Sequence, residues 1–236
     1  MEDDPAVLIR NAAFRWPDGE FALRIDAFAL ARGERQLLLG PSGAGKSTLL
    51  NLIGGFLRPQ SGQITILGRE LGDLGQTALD RFRADHFGVI FQMFNLLPYL
   101  SVLDNVLIPL RFSRHRRQQA GDAHACAERL LSRLGVAPDL HRRPAAQLSV
   151  GQQQRVAAAR ALIGAPQIIL ADEPTSALDH DNAGKFLDLL QTELQATGAA
   201  LLMVSHDTRI ADHFDQVIDL TSIARTEGRN SEACCG

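Results

Sequence analysis

Eight consecutive residues, Gly40-Pro41-Ser42-Gly43-Ala44-Gly45-Lys46-Ser47, fit the pattern G-x-x-x-x-G-K-[ST] without a mismatch. Glycines let the main chain wrap closely around an anion, and the N–H groups of such a loop and of the helix start behind it then point at a phosphate. Lys46 is placed to reach the outer phosphates of a nucleotide, the Ser47 hydroxyl to ligate Mg²⁺, and Thr48 continues the same helix start. A glycine-rich turn with a solvated lysine is the plainer alternative. Against it stands the context: Gln36 to Leu39 is an apolar, strand-like run entering the loop, and Lys46 to Phe56 leaves it with helical periodicity.

A second constellation is Ile168-Ile169-Leu170-Ala171-Asp172-Glu173, an apolar run ending in two carboxylates. Acidic residues at the carboxyl end of a strand face the crevice where α/β sheets bind ligands. One carboxylate can hold a metal ion while its neighbour orients and activates an attacking water. Alone, such an ending would more often be a solvated acidic turn; beside a phosphate loop the chemical reading is the stronger. Ser149-Val150-Gly151-Gln152 matches a capping box, so a helix should run on through Arg155 to Leu162.

These residues need elements to hold them. Strand-like and helix-like segments alternate through most of the chain, which predicts an α/β fold with helices around a largely parallel sheet. Further buried strands are expected at Gly88 to Phe91, Gln167 to Ala171, Ala199 to Val204 and Gln216 to Leu220. The opening differs, since Ala6 to Phe14 and Phe21 to Leu30 alternate around Trp16-Pro17-Asp18-Gly19 as an antiparallel hairpin would. From Leu71 to Gln147 helix patterns such as Ser101 to Leu110 and Asp122 to Leu134 dominate, so an inserted helical subdomain is expected there. The last stretch, Thr221 to Gly236, is polar and reads as a flexible tail.

Composition narrows the class. The 236 residues carry 24 Lys+Arg against 27 Asp+Glu, a net charge of −3, which argues against a protein that coats nucleic acid. A chain of this size buries roughly 70–75% of its unfolded surface and needs no disulfide or structural metal to fold. Cys126 stands alone and Cys234 and Cys235 are adjacent, which is neither a disulfide framework nor a zinc spacing. The longest stretch without formal charge, Phe87 to Leu103, is too short and polar to span a bilayer, and Met1 to Pro5 lacks the features of a secretory signal. A cytoplasmic location is expected.

The chain as a whole resembles the nucleotide-binding subunits of ATP-binding cassette transporters. The specific feature is Leu148-Ser149-Val150-Gly151-Gln152-Gln153-Gln154-Arg155, which is similar to that family's signature. The resemblance implies one ATPase domain over 1–236: a RecA-like P-loop core with an antiparallel β subdomain at 1–70 and 150–220, a helical insertion at 71–149, and a tail at 221–236. It also implies a shared site, in which Ser149, Val150, Gly151 and Gln152 meet the γ-phosphate held by a second subunit, a homodimer mate or a paired ATPase. Glu173 would be the general base, and Asp172 a Mg²⁺ ligand with Ser47. Gln92 would sense Mg²⁺ and the attacking water, His206 would contact the γ-phosphate, Asp179 would cross the dimer interface, and Trp16 would stack on adenine with Phe14 as the competitor. Val150 departs from the usual glycine.

Gly88 to Leu110 is further similar to the branch serving lipoprotein release and macrolide efflux. That implies a separate membrane permease, docked in an apolar groove at Met93, Phe94, Leu97 and Tyr99, with the ATPase peripheral on the inner face of the membrane; internal packing of the insertion is the plainer alternative for any one of the four. An importer subunit, a cell-division complex or a non-transport ATPase of the same superclass are the alternatives. The basic run Arg111, Arg114, His115, Arg116, Arg117 reads as a solvated helix end, with contact to anionic lipid headgroups or the permease as the alternative.

Overall fold

The computed structural model describes residues 4–17 and 21–228. Two five-stranded sheets face each other across a buried helix. The first is antiparallel throughout and runs β10-β2-β1-β4-β5, with β1 Val7–Arg15, β2 Phe21–Leu30, β4 Ser61–Ile66, β5 Arg69–Glu70 and β10 Ala224–Gly228. The second is parallel throughout, β6-β7-β8-β3-β9, with β3 Arg35–Leu39, β6 Phe87–Ile90, β7 Ile168–Asp172, β8 Ala200–Ser205 and β9 Gln216–Asp219.

The parallel strands are continuous apolar runs because both of their faces are covered. Leu38, Ile168, Leu170, Leu202 and Val204 face the helix α1, Lys46–Ile53, and beyond it the antiparallel sheet. Their neighbours Leu37, Ile169, Ala171, Leu201 and Met203 face the opposite layer. That layer holds α3 Val102–Phe112, α5 Ala123–Arg133, α6 Val150–Leu162 and α7 His180–Thr197. The short α4, Arg114–Ala120, connects α3 to α5. In the antiparallel sheet β1 carries an irregularity between Arg10 and Ala13, where Asn11 has φ 50°. Gly62 lies so close there that a Cβ would stand 2.1 Å from the Asn11 carbonyl oxygen, so no side chain fits.

Two expectations need correcting. Residues 71–149 are not uniformly an insertion, because β6 pairs with β7 inside the parallel sheet, and Leu79 and Phe82 of α2, Gln76–His86, join the core beneath α1. The helical layer proper begins after β6. Residues 221–228 are not a loose tail either: α8, Leu220–Ile223, leads into β10, which pairs antiparallel with β2 from Ala224 opposite Ile25 to Gly228 opposite Phe21. A polar sequence suits that place, since a sheet edge with one solvated side demands little apolar pattern. Residues 229–236, with Cys234 and Cys235, lie outside the described residues. No helix among the described residues is long and apolar enough to cross a membrane.

Candidate functional site

The loop from Gly40 to Gly45 joins β3 to α1. Gly43 and Gly45 have φ 80° and 94°, and a Cβ on Gly45 would stand 3.0 Å from the Phe21 ring, so glycine is required on two counts. No side chain caps α1 at Gly45, which leaves the first N–H groups of that helix available to an anion. Lys46 Nζ donates to the carbonyl oxygens of Gly40 at 2.8 Å and Pro41 at 3.1 Å, and the Ala44 N–H donates to Pro41 O at 3.3 Å. Gly40, Pro41 and Ala44 thus shape the loop from behind. Ser42, Gly43, Gly45, Lys46, Ser47 and Thr48 face an open cleft of about 620 Å³.

Three strand ends supply the opposite walls. Asp172 closes β7 and Glu173 follows it; Gln92 lies just beyond β6 and His206 just beyond β8, and all four line the same cleft. Glu173 sits at φ 43°, in the left-handed region, with its N–H donating to Val204 O at 3.0 Å. Its carboxylate stands 3.4 Å from Lys46 Nζ and 2.8 Å from His206 Nδ1. Burial raises the Asp172 carboxyl above the ordinary range; a hydrogen bond from the Ser47 hydroxyl opposes the rise, the Glu173 charge adds to it and Lys46 subtracts.

The mouth of the cleft is aromatic. Trp16 is 38% exposed and lines it, while Phe14 is buried in the core and meets the Trp16 ring edge-to-face at 5.2 Å. Phe21 also lines the cleft and was not singled out in the sequence. The hairpin held the signal, since Trp16 N–H donates to Phe21 O at 3.1 Å across the turn.

The signature residues do not line this cleft. Ser149 caps α6 with both halves of the expected box: its N–H donates to Gln152 Oε1 at 2.9 Å and its Oγ accepts from the Gln152 N–H at 3.4 Å. Val150 is 48% exposed, and Gly151 follows it on the same first turn. Asp179 caps α7, accepting from Asn182 N–H at 2.9 Å and from its Nδ2 at 2.7 Å, and these bonds hold its carboxyl below the usual range.

The groove expectation is corrected at one residue. Met93 and Tyr99 are exposed and Leu97 partly so, but Phe94 is buried in the helical layer, its N–H turned back onto Phe91 O at 2.9 Å. Beside this segment lies a groove of about 460 Å³ walled by Phe56, Phe91, Asn95, Ile108, Pro109 and Phe112. Nor is the basic run wholly solvated: Arg116 is buried, donates to the carbonyl oxygens of Phe87, Ala161 and Ile163, and is lowered by burial to about 10.

Residues 23–176 match the family described as ABC transporter. The lipoprotein-releasing system ATP-binding protein LolD of Anaeromyxobacter dehalogenans is 46% identical over 188 residues, 80% of this chain and 77% of that protein. The macrolide export ATP-binding/permease protein MacB 1 of Aeromonas hydrophila is 46% identical over 233 residues; these are 97% of this chain and 35% of that one. A solved dimeric ATP-binding cassette, in a post-hydrolysis state with ADP and Pi, superposes with a TM-score of 0.75 at 36% identity. The match spans 90% of this chain and 93% of that one. By sequence over most of its length and by the architecture of its phosphate loop, this chain belongs to the ABC transporter family, as an ATP-binding and ATP-hydrolysing cassette.

Proposed function

We propose that this cassette works as one half of an ATP-sandwiched dimer that drives a separate membrane permease of the lipoprotein-release or efflux type. The observation that carries this reading is a division within one chain. Lys46, Ser47, Gln92, Asp172, Glu173 and His206 converge on one cleft, whereas Ser149 and the start of α6 that it caps lie outside it, exposed and ready for the nucleotide of a second chain. A helix N-terminus supplied by the partner adds N–H donors and a favourable dipole to the γ-phosphate, so ATP joins the two subunits.

Within the cleft, Lys46 and the loop N–H groups bind the phosphates, while Trp16 and Phe21 present flat apolar faces to adenine. Glu173 accepts the proton of the attacking water, and His206, hydrogen-bonded to it, contacts the γ-phosphate. Mg²⁺ fits the donor set, because Ser47 Oγ, Asp172 and Gln92 offer hard oxygen atoms, and the hydroxyl already bonds the Asp172 carboxylate. When bound, Mg²⁺ supplies charge neutralisation at the phosphates. The permease, in this reading, docks by a cytoplasmic helix at the apolar groove near Met93, Leu97 and Tyr99, which places the cassette on the inner face of the membrane.

Replacing Glu173 by Gln tests the core of this reading. A general base contributes about 10²–10⁴ in rate, so turnover should fall by that order while ATP binding persists. The ATP-bound dimer, normally transient, should then accumulate on a sizing column with MgATP. A variant that hydrolyses like wild type, or stays monomeric at saturating MgATP, would falsify it.

A further inference from the structure

Gln154 lies on the second turn of α6 and is fully buried. Its Nε2 donates to the carbonyl oxygen of Pro174 at 2.7 Å, while its Oε1 has no hydrogen-bond partner among the described residues. A buried amide with one end unsatisfied is a poor way to stabilise a core, since an apolar side chain of similar shape would fill the space without stranding an acceptor. The contact it does make falls on a demanding piece of backbone. Glu173 is a non-glycine residue at φ 43° that also precedes a proline, two restrictions that the surroundings must overcome. The turn is held on one side by Glu173 N–H on Val204 O at 3.0 Å. Pro174 has no N–H, so its carbonyl is the remaining main-chain handle there, and Gln154 takes it.

The same helix grips the other catalytic loop. Arg160 of α6 donates to Phe94 O at 2.5 Å and to Asn95 O at 2.7 Å, in the turn that follows Gln92. The exposed start of α6 at Ser149 is five residues before Gln154 in the sequence. A rigid helix therefore connects the surface offered to a second chain with the backbone that aims Glu173.

We infer that Gln154 is a positioning residue, tying the signature helix to the Glu173–Pro174 turn so that engagement of Ser149 by the partner's nucleotide sets the base in this chain's own cleft. This rests on the reading of Glu173 as the base and of Ser149 as a contact made in trans. It gives the two ATP sites of a dimer a physical link through each subunit, because the helix that completes one site holds the base of the other.

The test compares Gln154→Met, which keeps the length and removes the donor, with wild type, Glu173→Gln and the double variant. Displacing a reacting group by about 1 Å can cost 10²-fold, so Gln154→Met should lower kcat about tenfold or more with KM for ATP within about twofold. Its ATP-bound dimer should accumulate on a sizing column, as for Glu173→Gln, which a merely destabilised protein would not do. The double variant should be no slower than Glu173→Gln alone, since both act through one group. Should Gln154→Met fail to fold, Gln154→Leu, which also lacks any donor for the Pro174 carbonyl, carries the same readouts. Wild-type turnover in Gln154→Met beside a slow Glu173→Gln overturns the inference and leaves the base assignment standing. Loss of the dimer together with turnover overturns it too, and unchanged turnover in Glu173→Gln removes its premise.

Discussion

Asp172 and Ser47 occupy opposite walls of the cleft and hydrogen-bond one another, with burial holding the carboxyl above its ordinary range. A carboxyl whose folded pKa exceeds its unfolded value binds more protons in the native state, so stability falls as pH rises through that interval, and the penalty is complete at neutral pH. Asp172→Asn removes the buried charge yet leaves an oxygen for the Ser47 hydroxyl. It should raise the melting temperature of the nucleotide-free protein at pH 7 and abolish hydrolysis. Calorimetry should show that gain shrinking as pH drops through the carboxylate range; a gain independent of pH would remove the electrostatic cause. At the mouth of the cleft, Trp16 is the single tryptophan of the chain, so its fluorescence tests the proposed contact with adenine directly. ATP should change that emission, and Trp16→Ala should weaken binding by about 1–3 kcal/mol, the usual worth of base–aromatic stacking. Unaltered emission with normal affinity in the variant would hand the role to Phe21.

At the scale of elements, Asn105 on α3 is fully buried and organises the segment that carries Tyr99. Its Oδ1 accepts from Leu97 N–H at 2.8 Å, and its Nδ2 donates to Leu97 O and Ser101 O, both at 3.0 Å. Asn105→Ala leaves the Leu97 main-chain groups without these partners and should cost about 1–3 kcal/mol in urea denaturation. ATP affinity should stay within about twofold of wild type, because this segment does not line the nucleotide cleft. The parallel strands and the phosphate loop were legible in the sequence, since runs such as Ile168 to Ala171 can satisfy both faces only inside a covered sheet. β10 was not, because Arg225, Thr226 and Glu227 on an edge strand leave no alternating pattern to read. Phe94 misled for a different reason: Met93 and Phe94 are adjacent apolar residues with no period to separate them, and the turn at φ 56° decides that Phe94 goes inward while Met93 stays out. The left-handed Glu173 and the grip of Gln154 depend on contacts between distant segments, which no local pattern encodes.

For the whole molecule, the decisive question is whether a site is completed by a second copy. Ser149→Arg chains place bulk and charge at the start of α6, and Lys46→Ala chains lack the phosphate lysine. Each alone should fail to form the ATP-bound dimer in a Glu173→Gln background. Mixed, they leave one composite site that joins an intact Ser149 to an intact Lys46, and analytical ultracentrifugation should recover an ATP-dependent heterodimer. A mixture that remains monomeric at saturating MgATP would mean that each chain works alone.

The pairing of β10 with β2 bears on how the protein is made. Gly228 lies opposite Phe21, and Phe21 walls the nucleotide cleft against Gly45. A chain synthesised from its N-terminus therefore lays down the phosphate loop and the first aromatic wall early, but the strand that braces that wall emerges more than two hundred residues after Phe21. Until then the β2 edge is an unpaired template on a ribosome-bound nascent chain. A chain interrupted between β9 and β10 would therefore carry Lys46, Gln92, Asp172, Glu173 and His206 alike and lack only the strand that braces the aromatic wall of their cleft.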